Sequence, residues 1–123
     1  MDFEAKIAEL GLLIPKPAKP AGSYKPCVIV DNIAYISGQG PLLEDGSFAK
    51  GKVGSDIDLE TAQNHARLCG LAILSALKNE IGSINKVDQL IKLTGFVNCI
   101  ESFTQQPLVI NGCSNMMQDI FGE

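Results

Sequence analysis

Arginine is nearly absent from this chain of 123 residues; Arg67 is the only one. Ten basic against fourteen acidic side chains leave a net charge of −4. Phosphate backbones are held by clustered cations, the guanidinium fork above all, so nucleic acid is a poor fit as a partner. Histidine is as scarce: His65 has no Asp, Glu or Cys at ligand spacing and reads as a structural or surface residue. Cys27, Cys69, Cys99 and Cys113 form neither a CxxC pair nor any metal-ligand spacing, so no metal and no cofactor is expected. They read as reduced, half-buried thiols of an intracellular protein. Long apolar runs are missing too. The longest uncharged one, residues 68–77, cannot span a bilayer. The start is acidic at Asp2 and Glu4, and its apolar run at residues 10–14 contains Gly11, which is no secretory signal. A cytoplasmic protein without a membrane partner is expected.

What is present is an ordinary soluble composition, 46 % apolar and 20 % charged, in one domain covering residues 1–123. Its organising stretch is residues 28–41, VIVDNIAYISGQGP. Two short β-branched runs flank Asp31-Asn32, which predicts a hairpin with an Asx-type turn. The second run leads into Ser37-Gly38-Gln39-Gly40-Pro41. A hydroxyl, a carboxamide and bare glycine backbone at a strand end suit a small polar ligand. The same residues are also ordinary strand punctuation.

Along the chain, Phe3, Ile7 and Leu10 fall at helical spacing behind Asp2, with Gly11 at the C′ position. Pro15, Pro17, Pro20 and Pro26 then impose an extended connector, so residues 1–21 form a short outer helix and its tether. Tyr24 follows, placed to point into a site or to cover a sheet edge. Two phosphate-loop likenesses fail. Leu43 stands where a dinucleotide fingerprint needs its third glycine, and Val53 where a P-loop needs its hydroxyl. Residues 46–54 read as a loop and short strand. Asp56, Asp58 and Glu60 alternate like metal ligands, but Asp58 as a helix cap with carboxylates at the positive helix end is the plainer account. A helix over residues 59–80 carries Leu59, Ala62, Ala66, Cys69, Ile73, Ala76 and Leu77 as one stripe, with Arg67 solvated on its flank and Gly82 as its stop. Residues 87–99 read as a strand whose end, with Phe96 and Asn98, forms a pocket wall. Pro107 fits the first position of a second long helix, with Val109, Cys113, Met116 or Met117, Ile120 and Phe121 on its apolar face.

Several of these residues together resemble the YjgF/RidA family, also labelled endoribonuclease L-PSP. They are Gly22-x-Tyr24, Ser37-Gly38-Gln39 at a strand end, Ala66-Arg67 on an alanine-rich helix, Gly95-Phe96-Val97-Asn98 and Val109-Ile110-Asn111-Gly112. The likeness runs from Leu10 onward, and the N-terminal helix matches one lineage of the family. Gly70 departs from it, standing where asparagine is expected.

The resemblance implies an α+β, chorismate-mutase-like fold: a twisted mixed β-sheet with two long helices on one face plus the short N-terminal helix. It implies a homotrimer with small-molecule carboxylate ligands in the inter-subunit clefts. The reaction it implies is hydrolysis of reactive 2-imino acids, or their enamine tautomers, to 2-keto acids and ammonia. Residue by residue it marks Tyr24, Ser37, Gly38, Gln39, Phe96, Asn98 and Asn111 as substrate-binding wall, Asn111 also being a helix-cap type. The family's carboxylate-clamping arginine and final strand have no counterpart among these residues, so no catalytic residue is assigned, and a continuation past Glu123 carrying both is expected. A non-catalytic binder using the same clefts is the alternative; a ribonuclease, the third reading, is opposed by charge.

Overall fold

The computed structural model describes residues 2–17 and 22–122. Pro20 and Ala21 of the proline connector lie outside the described residues. Helix α1 (Phe3–Glu9) starts as expected, the Asp2 carboxylate accepting from the Ala5 N–H at 3.0 Å. Its apolar side chains Phe3 and Ile7 are buried, and the Phe3 ring meets Phe121 edge-on with centroids 4.9 Å apart. Strands β1 (Cys27–Val30) and β2 (Ile33–Ile36) pair antiparallel, with Val30 opposite Ile33 across Asp31-Asn32. Both turn residues adopt positive φ, 48° and 66°, the mirror-image turn that matches strand twist and that Asp and Asn tolerate best after glycine.

Helix α2 (Leu59–Ile81) begins where Asp58 accepts from the Thr61 N–H at 2.8 Å and ends at Gly82, φ 89°. It buries more than the predicted stripe: Gly70, Ala72, Leu74 and Ser75 are inside too. The reason is that α2 is covered on two sides, by the hairpin and by helix α3 (Gln106–Phe121). The two helices meet at their backbones, Gly112 resting against the Gln63 carbonyl where no Cβ would fit. Pro107 is the second helical residue of α3, one place later than its sequence suggested. Val109, Cys113, Met116, Met117 and Ile120 form its buried face.

Residues 87–99 differ from expectation. They run without helix or ladder, and only Cys99 forms a bridge, parallel to Val53. Leu93 and Val97 turn toward the core, but Ile91, which a strand's alternation would put on their face, is 69 % exposed. Alternation alone predicts which residues can be a strand, while pairing requires a neighbour, and none is present among the described residues. The fold is nonetheless α+β, with, among the described residues, one antiparallel hairpin, further single bridges of both senses and three α-helices on a shared core.

Candidate functional site

Strand β2 delivers the chain into residues 37–41. The Ser37 N–H donates to the Pro26 carbonyl at 2.9 Å, extending the hairpin by one rung. The Ser37 hydroxyl donates to the same oxygen at 3.3 Å, and Gln39 Nε2 donates back to the Ser37 carbonyl at 3.3 Å. Ser37 thus spends its donor across the hairpin and Gln39 spends one on its own turn. What the turn leaves open is backbone: among the described residues the amides of Gly38, Gln39 and Gly40 have no partner. Nothing crowds Gly38, whereas a Cβ on Gly40 would stand 2.9 Å from the Phe48 ring. Phe48 reaches that position through its bridge to Leu42.

The other predicted residues spread over neighbouring elements. Asn98 accepts from the Val53 N–H at 2.9 Å through its carbonyl, and its Nδ2 reaches the Gly51 carbonyl at 3.5 Å. Phe96, two residues earlier, is 95 % exposed. Tyr24 is half-exposed with its ring over Gly22. Asn111 lies inside α3, so it caps nothing; its Oδ1 is 3.4 Å from the Ser114 hydroxyl. No hydrogen bond joins Tyr24, Asn98 or Asn111 to the Ser37–Gln39 turn among the described residues. The feature the sequence reading missed is the role of residues 51–53, which tie the end of the 87–99 segment to the loop after β2. Gly51 was the signal, being a glycine at φ 140° pressed against Ile57.

The ionisable groups supply no nucleophile here. Burial raises the thiols of Cys27 and Cys69, and burial together with nearby Cys69 pushes Cys113 up to about 11. Such thiols stay protonated at neutral pH and are inert. All four cysteines are free. Asp56 closes the loop before α2 by accepting from the Lys52 N–H at 3.0 Å instead of sitting at the helix end. Among the described residues no three His, Cys, Asp or Glu side chains gather as metal ligands. Nor is any helix long and apolar enough to cross a membrane. A shallow hollow of about 250 Å³, between Ile14–Pro17 and Ser75–Asn79, contains none of the predicted site residues.

Residues 4–123 match the family described as "YjgF/chorismate mutase-like, putative endoribonuclease". The chain belongs to the YjgF family. A Shewanella oneidensis MR-1 crystal structure carrying the same endoribonuclease description superposes with a TM-score of 0.94 at 29 % identity, over 99 % of this chain and 81 % of that one. Atu1372 of Agrobacterium tumefaciens, a protein of unknown function, is 40 % identical, with a TM-score of 0.86 over 98 % of this chain and 75 % of its own. Protein TCP17 of Trypanosoma cruzi is 34 % identical over 119 residues, 97 % of this chain and 74 % of that protein.

Proposed function

We propose that this YjgF-family chain forms the ligand-binding wall of a reactive imine and enamine deaminase, a homotrimer whose inter-subunit clefts take small carboxylates. The reaction class is addition of water to a 2-imino acid and loss of ammonia, leaving the 2-keto acid. The observation that carries it is the open row of amides at Gly38, Gln39 and Gly40. Consecutive unpaired N–H groups at a glycine turn favour an anionic oxygen. Trimer assembly is supported by the outward face of the hairpin, where Val28, Val30, Ile33 and Tyr35 are all exposed. In a trimer this face would be covered by neighbouring subunits.

The carboxylate needs a cation as well, and Arg67, the only arginine, is exposed on α2 with no hydrogen bond to residues 37–41 among the described residues. Residues 1–123 therefore bind the acid without positioning it bidentately for attack by water. The test has two arms. Pyruvate titrated into labelled protein shifts the amide resonances of Gly38 and Gly40; if those amides stay unmoved at millimolar pyruvate, the site is misplaced. A coupled assay on freshly generated 2-iminopropanoate finds little turnover by these residues alone. Turnover at an ordinary enzymatic rate would show that Ser37 or Gln39 does the chemistry.

A further inference from the structure

Phe48 is a large side chain that the core does not use. It is 43 % exposed and belongs neither to the buried cluster nor to the residues packed against it. Its backbone is nonetheless held on both sides. Phe48 bridges Leu42 antiparallel, with the Leu43 N–H donating to the Ser47 carbonyl at 2.8 Å and the Ala49 N–H to the Pro41 carbonyl at 2.9 Å. Between them the Asp45 carboxylate accepts from the Ser47 N–H at 2.9 Å and from the Ser47 hydroxyl at 2.6 Å. Residues 41–49 thus close on themselves and fix the chain that carries the ring to Gly40.

That ring stands where a side chain on Gly40 would stand. A Cβ there would be 2.9 Å, 3.2 Å and 3.7 Å from three of its atoms. Standard backbone dimensions put a Cβ about 2.5 Å from its own nitrogen, so the near edge of the ring is within about 5.5 Å of the Gly40 nitrogen. The N–H leans the same way. Gly40 has no positive φ, and Pro41 after it favours extended backbone; that conformation tilts an N–H to the Cβ side of its own Cα. An anionic oxygen on this amide would sit about 2.9 Å from the nitrogen. The face of an aromatic ring is the negative side of its quadrupole, so Phe48 repels the charged end of an acid and offers its area to a hydrocarbon end.

We infer that Phe48 is a specificity-determining residue of this turn: among small 2-oxo and 2-imino acids seated on the Gly38–Gly40 amides, it selects a branched or aromatic side chain over a methyl. The inference rests on the reading of that amide row as the seat of the carboxylate. Ser37 and Gln39 do not make this choice, because their side chains are bound by polar contacts to the Pro26 and Ser37 carbonyls. The loop already fixes the backbone of Phe48, so little conformational freedom is lost when a ligand arrives. An isobutyl group has three carbons more than a methyl, and half of their area against the ring is worth about tenfold in affinity.

The test titrates labelled protein, wild type and F48A, with pyruvate and with 4-methyl-2-oxopentanoate. It follows the Gly38 and Gly40 amide resonances together with nuclear Overhauser contacts from the acid's methyl groups to the Phe48 ring. Both acids should shift the two amides, the larger one with about tenfold tighter affinity. Its methyls should contact the ring, and F48A should bring the two affinities to within about twofold of each other. Equal affinities in the wild type, or a preference that survives in F48A, overturn the role of Phe48 and leave the amide seat standing. If F48A does not fold, the wild-type ring contacts decide, and their absence at saturation overturns the role. Amides that neither acid moves would remove the seat itself, and this inference with it.

Discussion

Lys78 Nζ sits 2.9 Å from the Glu4 carboxylate, joining α1 to the last turn of α2 across 74 residues of sequence. The same carboxylate accepts from the Ile84 N–H at 2.8 Å and lies 3.4 Å from the Ser83 hydroxyl. In return the Glu4 N–H donates to Asn85 Oδ1 at 2.8 Å. One acidic side chain therefore fixes where the N-terminal helix docks.

Replacing it should loosen that helix's docking. Hydrogen bonding from Lys78 chiefly, then from the Ile84 N–H, holds the Glu4 carboxyl below its ordinary value of 4.5. A folded-state value below the unfolded one adds stability above the unfolded pKa, and that stability is lost as pH falls through the folded one. E4Q should thus cost about 1–2 kcal/mol at pH 7, allowing for partial exposure of the pair. Urea unfolding at pH 7 and at pH values below about 4.5 should show the gap from wild type narrowing at the lower values. A gap that stayed constant with pH would mean the charge is irrelevant.

Gly112 and Gly70 should respond differently to alanine. A Cβ at Gly112 overlaps the Gln63 backbone, which can yield only if α2 and α3 move apart. At Gly70 the new methyl would meet the flexible ends of Met116 at 2.7 Å and Met117 at 3.4 Å, with Cys113 Sγ at 2.9 Å as the stiffer neighbour. G112A should cost about 3 kcal/mol or more, while at G70A better helix propensity offsets much of the crowding and leaves a change within about 1 kcal/mol. Thermal unfolding of the two variants decides it.

The hairpin's outward face should govern assembly. Val28 and Tyr35 are opposite one another on it. Placing aspartate at both should convert a trimer on gel filtration with light scattering to a monomer, with far-ultraviolet circular dichroism unchanged. A wild-type monomer at micromolar concentration would remove the inter-subunit site.

Binding to single-stranded RNA should be weak and should fall steeply with added salt, since net −4 and one guanidinium give few phosphate contacts. Submicromolar affinity at physiological salt, with cleavage that survives further purification, would favour the endoribonuclease description over the deaminase reading.

Local signals in the sequence were the legible ones. Asp2 and Asp58 announced two helix starts, Gly11 and Gly82 two ends, and Asp31-Asn32 the hairpin turn, because each acts through its own backbone within a few residues. Burial on α2 was only partly legible. Leu74 and Ser75 are inside because the helix is covered on two sides, and Ser75 donates to the Pro15 carbonyl at 2.6 Å from far along the chain. The 87–99 segment shows the limit. Its alternation was plain in the residues, yet pairing depends on a neighbour that no periodicity within the segment can reveal. Of the predicted wall, Ser37 and Gln39 do share one turn, whereas Asn111 lies within α3 and Phe96 points into open solvent.

The long span closed by Glu4 also bears on how the molecule forms. The hairpin closes across two residues, and each helix nucleates from contacts a turn apart, so these pieces can assemble quickly. The N-terminal helix waits longer. Its anchors, Lys78, Ile84 and Asn85, come together only after α2 has formed and ended at Gly82, so loop-closure entropy places its docking late. On a ribosome this means that α1, made before α2, finds its seat only after it. Until then Phe3 and Ile7 are uncovered on the growing chain.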